Sequence, residues 1–197
     1  MASTTSVVTP QRFATGFPSF KDWMAAIGQR QTEFQRHYDD FQVKAEDAEY
    51  FKKLVAERGL KAFVIGEDWC PDVWRGLPVM SKVAEASGME VRYFMRDQNK
   101  DIMAEFLKNG EFESIPVAVF YDRDHNYLGH WIERAKLADE QMPAVRKAVM
   151  PDPMPERDTP AYMAAMDASR EAMIVHAEPW RQAQIQEIRE LLDKALS

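Results

Sequence analysis

The chain has 197 residues, of which 46% are hydrophobic, and its formal net charge is −7 at pH 7. This length suits one domain with extensions or one and a half domains, and the apolar content is sufficient for a packed core. The negative charge argues against nucleic acids and anionic membrane surfaces as partners, because both repel an acidic protein.

The sequence carries one cysteine, Cys70, which excludes an internal disulfide and fits a reducing compartment. The first 20 residues contain no apolar segment of the length found in signal peptides. No stretch approaches the roughly 20 apolar residues that a membrane-spanning helix requires. We therefore expect a soluble, cytoplasmic protein.

Three amphipathic helices are predicted ahead of the cysteine. They cover about residues 20–27, 29–42 and 46–58, and glycines follow the first and the third. Residues 1–16 are small and polar and are predicted to be loose. His37 lies on the apolar stripe of the second helix, where we interpret it as a packing residue rather than as a ligand or base.

A short buried strand and a helix are predicted on either side of Cys70. The apolar run 62–65 ends at Gly66, as expected for a buried strand. Pro71 suits the first position of a helix because its missing N–H would have no partner there, and Asp72 suits the helix dipole. Cys70 therefore lies at a helix N-terminus, a position that can lower the pKa of a thiol.

After this helix the pattern predicts further strands and helices and then a helical tail. Strands are expected over residues 89–95, 115–121 and 127–132, and helices over 100–108 and 138–149. Four prolines between residues 150 and 160 predict a stiff connector, followed by a helical pair broken before Pro179. We interpret the apolar stripe of this tail as packing on the main domain, with a dimer seam or partner groove as the alternative.

Two motifs together resemble the thioredoxin fold. The string EDWCPDVWRGLPVM contains a Trp-Cys-Pro turn and a later helix proline, Pro78, and the string SIPVAVFYD begins a strand with Ile115-Pro116. In the thioredoxin family the cysteine begins a kinked helix, and a cis-proline loop lies against the active-site sulfur. The resemblance covers about residues 60–150 and is closer still to a bacterial thioredoxin-like group that carries helices ahead of the domain.

This resemblance implies an α/β, thioredoxin-like fold, with a mixed central sheet flanked by helices and with helical extensions at both ends. It leaves the strand order open. Three segments are predicted. Residues 1–59 form an N-terminal helical extension, and residues 60–150 form a thioredoxin-like domain. Residues 151–197 form a Pro-rich connector and a C-terminal helical extension.

Two positions depart from the thioredoxin pattern. The family motif has two cysteines separated by two residues, and Val73 occupies the second position here. Valine cannot resolve a mixed disulfide, so the dithiol cycle within one chain is excluded. The family's buried acid, six residues before the cysteine, corresponds to Val64, which is consistent with the loss of the second cysteine.

Two influences on the Cys70 thiol oppose each other. Three nearby carboxylates favour the neutral thiol, whereas the helix N-terminus favours the thiolate. These carboxylates belong to Glu67, Asp68 and Asp72. Cys70 is therefore either a single nucleophile, whose mixed disulfide is released by an external thiol, or an inert remnant buried beneath Trp69.

The predicted site combines Cys70 as the catalytic thiol with five residues that contact the substrate. These are Trp69, Pro71, Asp72, Ile115 and Pro116. Trp69 would serve as a lid or contact surface beside the sulfur. A cis Pro116 would leave the backbone of Ile115 free to pair with an extended substrate by strand addition. No histidine has further ligands at metal spacing, so no metal site is predicted.

The preferred hypothesis is a monothiol thiol–disulfide oxidoreductase that lacks the resolving cysteine. It would act without a cofactor on a small molecule or protein that bears a thiol or disulfide, and the helical extensions allow a homodimer. One alternative is a redox-inactive thioredoxin-fold binding module for a protein partner. A third hypothesis is an iron–sulfur cluster shared by Cys70 of two chains and external thiols, as in monothiol glutaredoxins.

Overall fold

A four-stranded sheet forms the centre of the computed structural model, which describes residues 6–197. Its strands are β1 Lys61–Gly66, β2 Glu90–Met95, β3 Val117–Tyr121 and β4 Tyr127–Ile132. Their order is β2-β1-β3-β4; β1 is parallel to β2 and antiparallel to β3, and β3 is antiparallel to β4. The predicted mixed sheet and the hairpin of its last two strands are confirmed.

Helices precede, connect and follow these strands. Within the described residues they are α1 Pro10–Phe13, α2 Phe20–Ala26, α3 Gln31–Asp39, α4 Ala45–Arg58, α5 Pro71–Ser87, α6 Lys100–Met103, α7 Lys136–Val149, α8 Pro160–Val175 and α9 Ala177–Leu196. Helices α3, α4 and α9 contact α5, and α9 also contacts β4. The predicted α/β class is confirmed. No helix among residues 6–197 combines the length and the apolar character needed to cross a lipid bilayer.

The central strand β1 is buried on both faces. Residues 62–65 are all 0% exposed, which explains why they form a continuous apolar run rather than an alternating one. Phe63 meets Phe94 of β2 edge-on, with ring centroids 5.6 Å apart. Each large side chain buried in this way contributes about 1.5–3 kcal/mol, so the strand that leads into the cysteine turn is firmly anchored.

The segment before α2 packs into the core, so the prediction of a loose N-terminus is wrong for residues 6–16. Val8 and Phe13 are only 1% and 4% exposed. Phe13 lies edge-on to the His125 ring at 5.7 Å, and His125 Nε2 is 2.7 Å from the carbonyl oxygen of Val8. The sequence does not reveal this packing, because these apolar residues have no helical repeat and their partners lie in a distant hairpin. The rest of that prediction, residues 1–5, lies outside the described residues.

Two helix boundaries differ from the predicted ones. The helix predicted over residues 100–108 is confined to α6, and Lys108 instead forms a β-bridge with Phe112. The tail breaks at His176 rather than directly before Pro179, which lies in the first turn of α9. A proline costs little there, because the N–H groups of the first turn have no acceptor within the helix.

The C-terminal helix α9 contributes to the main core. Ile185, Ile188 and Leu192 are at most 1% exposed and share one cluster with the side chains of the sheet. The interpretation of the tail as packing on the main domain is therefore confirmed for this helix. Met163 of α8, by contrast, is exposed. The division of the chain into three segments stays a prediction.

His37 is buried between α3 and α9, in agreement with its interpretation as a packing residue. Its Nδ1 accepts a hydrogen bond from Nη2 of Arg181 at 2.5 Å. Burial, together with the positive charges of Arg181 and Arg75, lowers the pKa of His37 to about 3. The imidazole is therefore neutral at neutral pH and carries its proton on Nε2, since an arginine can only donate.

This buried histidine should make the fold sensitive to acid. The folded-state pKa is lowered from 6.5, so the contribution of His37 to stability is complete above that pH and is lost as pH falls toward 3. Between about pH 6.5 and pH 5 it should account for a loss of about 2 kcal/mol in the free energy of unfolding.

Urea unfolding at both pH values measures this loss. His37→Gln should remove it, and replacement of the exposed His176 by Gln should leave it in place. An equal pH dependence for the wild type and His37→Gln would contradict the prediction.

Candidate functional site

Cys70 lies directly before the first residue of α5. Its carbonyl oxygen accepts the N–H groups of Val73 and Trp74 at 3.0 and 3.2 Å, and Pro71 is the first helical residue. The side chain is half-buried. The sulfur therefore belongs to a partly exposed residue at the predicted helix N-terminus.

The Ile115-Pro116 loop lies against this sulfur, and its peptide bond is cis. Cys70 Sγ donates to the carbonyl oxygen of Ile115 across 3.7 Å. The carbonyl oxygen of Pro116 accepts the N–H of Glu133 at 2.7 Å. For the Ile115 N–H, we find no hydrogen-bond partner in the part of the chain that the structure describes. The loop and the cysteine, far apart in sequence, are thus brought together as the resemblance implied.

Burial is the dominant influence on the Cys70 thiol, and it raises the pKa of the thiol above its ordinary value. The backbone N–H groups of Val73 and Asp72 and the positive charge of Arg134 oppose this shift, whereas the carboxylate of Asp72 adds to it. Desolvation outweighs the helix terminus because a thiolate loses more hydration than a neutral thiol. Most of the Cys70 thiol is therefore protonated at neutral pH.

Two of the three carboxylates expected around the sulfur are held elsewhere. Glu67 accepts the N–H of Asp97 at 2.7 Å, and Asp68 accepts the N–H of Gly28 at 3.0 Å. Proximity in sequence therefore overstates the negative charge at Cys70.

The third carboxylate, Asp72, is paired with two arginines. It accepts a hydrogen bond from Nη2 of Arg75 on the same helix, and Nη2 of Arg134 lies 3.1 Å from its other oxygen. Arg134 is also paired with Glu133. Sequence reasoning missed both arginines. The spacing of Asp72 and Arg75 on one helix signals an ion pair, but only the fold brings Arg134 to the site.

Val73, at the position of the family's second cysteine, is fully buried. It packs against the end of β1, and a Cβ atom added to Gly66 would lie only 2.6 Å from Val73 Cγ1. The interior next to Cys70 is thus apolar, which contributes to the desolvation of the sulfur.

Trp69 and Pro71, on either side of Cys70, are exposed. Trp69 is 45% exposed, and the guanidinium of Arg96 lies 4.9 Å from the centroid of its ring. Trp69 therefore presents an aromatic surface to solvent beside the half-buried sulfur. No group of three or more His, Cys, Asp and Glu side chains among residues 6–197 is arranged to hold a metal ion.

Comparison with known proteins agrees with this architecture. Residues 17–148 match the sequence profile of a family described as Thioredoxin. The chain belongs to the thioredoxin family. No curated protein matches the chain.

Two solved structures share the fold of this thioredoxin-family chain. A protein of unknown function from Pseudomonas aeruginosa has 18% sequence identity and a TM-score of 0.62, covering 93% of this chain and 95% of its own. An HIV epitope scaffold has 18% identity and a TM-score of 0.60, covering 96% and 99%. At these identities the likeness shows the fold alone.

Removal of the Asp72 charge should lower the pKa of the Cys70 thiol in this thioredoxin-family protein. We expect Asp72→Asn to lower that pKa, because it removes a negative charge beside the thiolate but keeps the backbone N–H. The pH dependence of the thiolate's ultraviolet absorbance measures the pKa. Glu67→Gln is the matched control and should shift it much less; equal shifts would contradict the assignment of Asp72.

Proposed function

We propose that this protein carries out thiol–disulfide exchange with Cys70 as its single nucleophilic thiol. One observation carries the proposal: Cys70 Sγ lies at a helix N-terminus and 3.7 Å from the carbonyl oxygen of Ile115, beside a cis proline. Cys70 is partly exposed, and in this proposal an extended chain pairs with the backbone of the loop beside it.

The proposed reaction has two exchange steps. The Cys70 thiol loses its proton to solvent, and the thiolate attacks one sulfur of a disulfide substrate. The substrate S–S bond breaks, one half leaves as a thiolate, and the other half remains bonded to Cys70. A second thiol from outside the chain then attacks this mixed disulfide and releases Cys70, because Val73 offers no sulfur.

The substrate groove is proposed to run between the turn and the cis-proline loop. Trp69 and Pro71 offer an exposed surface on one side of it. On the other side Ile115 is only 3% exposed, so pairing of its N–H with an incoming strand requires the cis-proline loop to move outward. In this proposal Asp72 acts through its charge and orients Arg134. Cytoplasmic location and a homodimer through the helical extensions stay predictions from the sequence.

A redox-inactive binding module is the second candidate. Two observations favour it: an apolar residue, Val73, stands where a resolving thiol would stand, and burial raises the pKa of Cys70. In that case the groove would hold an extended segment of a partner without exchange. A shared iron–sulfur cluster, the third hypothesis from the sequence, would give the purified protein a colour.

The rate of reaction with a neutral disulfide reagent separates the two main candidates. We expect the rate to rise continuously from pH 7 to above the ordinary thiol pKa of about 8.5, because the raised pKa keeps the thiolate scarce. Stopped-flow absorbance measures the rate, and intact-mass spectrometry detects the mixed disulfide. Cys70→Ser is the control that cannot react. Absence of a mixed disulfide at every pH would refute exchange and leave the binding module.

Restoration of a second thiol provides a further test. In Val73→Cys, the mixed disulfide on Cys70 should be displaced within the chain, and the oxidised protein should carry a disulfide between the two positions. Mass spectrometry after reaction should show loss of the substrate half. Val73→Ala, which offers no sulfur, should retain it. A mixed disulfide that persists equally in both variants would contradict the proposed placement of residue 73 beside the reacting sulfur.

A further inference from the structure

A cavity of about 200 Å³ opens beside the cysteine turn. It lies among α3, the turn, the start of α5, the end of α7 and α8. Trp69 and Pro71 line it, although the sulfur of Cys70 does not. Small-molecule sites usually have about 300–1,000 Å³, so this cavity suits one part of a small ligand.

The cavity lining is positively charged. Four arginines line it, against the single carboxylate of Glu33, in a chain whose net charge is −7. These arginines are Arg30, Arg75, Arg146 and Arg170. Three of them already have carboxylate partners, namely Glu33, Asp72 and Asp167. Arg146 has no hydrogen-bond or ion-pair partner anywhere in residues 6–197 and is the cation available to an anion.

Two buried polar side chains at the cavity also have N–H groups without a hydrogen-bond acceptor in the described chain. Arg75 is 6% exposed and forms one carboxylate contact, to Asp72, although a guanidinium has five N–H groups. His37 is 3% exposed, and its Nε2–H has no acceptor within the described chain, since Nδ1 is occupied by Arg181. No atom of Arg75 or His37 is among the fully buried side-chain atoms without a partner, so these spare donors are open to an acceptor in the cavity.

The remaining lining is aromatic and apolar. Trp69 and Trp74 contribute indole rings, and Met166, Met173 and Ile174 of α8 contribute aliphatic surface. The guanidinium of Arg30 lies 5.3 Å from the centroid of the Trp74 ring. Flat rings next to arginines suit a planar group that carries a negative charge.

We infer that this cavity binds the anionic, planar half of a small disulfide, so that its sulfur is presented to Cys70. The inference rests on the proposed exchange for the identity of the reacting group and adds to it the class of substrate. Arg146 pairs with the anion, Arg75 and His37 donate to it, and the indoles contact the planar group. Exchange then breaks the substrate S–S bond, one half leaves as a thiolate, and the bound half forms the mixed disulfide with Cys70.

Binding is tested without reaction in the Cys70→Ser variant. The probe is 5,5′-dithiobis(2-nitrobenzoate), a planar anionic disulfide, titrated by calorimetry. We expect saturable binding that becomes about tenfold weaker when Arg146→Gln is added, as for the loss of one charge-assisted hydrogen bond. Arg157→Gln, in the exposed connector, removes the same charge outside the cavity and should not weaken binding. Equal affinity in all three proteins would overturn the inference.

The reaction rate tests the same cavity in the protein that retains Cys70. We compare the rate with the anionic probe to that with 2,2′-dithiodipyridine, a neutral aromatic disulfide. Arg146→Gln should lower the ratio of the two rates about tenfold, and Arg157→Gln should not change it. If Cys70 reacts with neither reagent while Cys70→Ser binds the anion, the proposed exchange fails and the anion site stands. If both react and the ratio is unchanged, exchange stands and the cavity inference fails.

Discussion

The antiparallel pairing of β1 with β3 is the constraint on which the candidate site depends. It sets Ile65, near the end of β1, opposite Val117, at the start of β3. The turn that follows one strand and the loop that precedes the other therefore meet at the same edge of the sheet. Cys70 and the cis Ile115-Pro116 peptide come into contact there, and the buried strands on both sides hold that edge in place.

The same packing that builds the site also determines the chemical state of its thiol. Cys70 is at a helix N-terminus, where backbone N–H groups favour a thiolate. It is also next to Val73 and the tightly packed end of β1, where desolvation favours the neutral form. Desolvation prevails, so the pKa of the thiol is raised and its neutral form is favoured.

The C-terminal extension supports the helix that carries the cysteine. On α9, Gln184 donates to the carbonyl oxygen of Gly76 at 3.1 Å, and Trp180 lies 5.4 Å from the guanidinium of Arg75. A side chain at Gly76 would lie 3.0 Å from Pro116, so α5, the cis-proline loop and α9 are in close contact. Helix α8 then forms one wall of the basic cavity beside the turn. The extension is therefore part of the surroundings of Cys70.

The sequence by itself determined the four strands, most of the helices and the family, because these depend on patterns of neighbouring residues. A few neighbouring positions are enough to recognise such features. Examples are the apolar run of β1, Pro71 at the start of α5 and the Ile115-Pro116 pair. Only the tertiary structure decided the strand order, the burial of Val8 and Phe13, and the charges around the sulfur. Glu67 and Asp68 are close to Cys70 in sequence yet bind elsewhere, whereas Arg134 comes from a distant segment and pairs with Asp72 beside the sulfur. Electrostatics and packing depend on distances in space, and a one-dimensional pattern does not contain them.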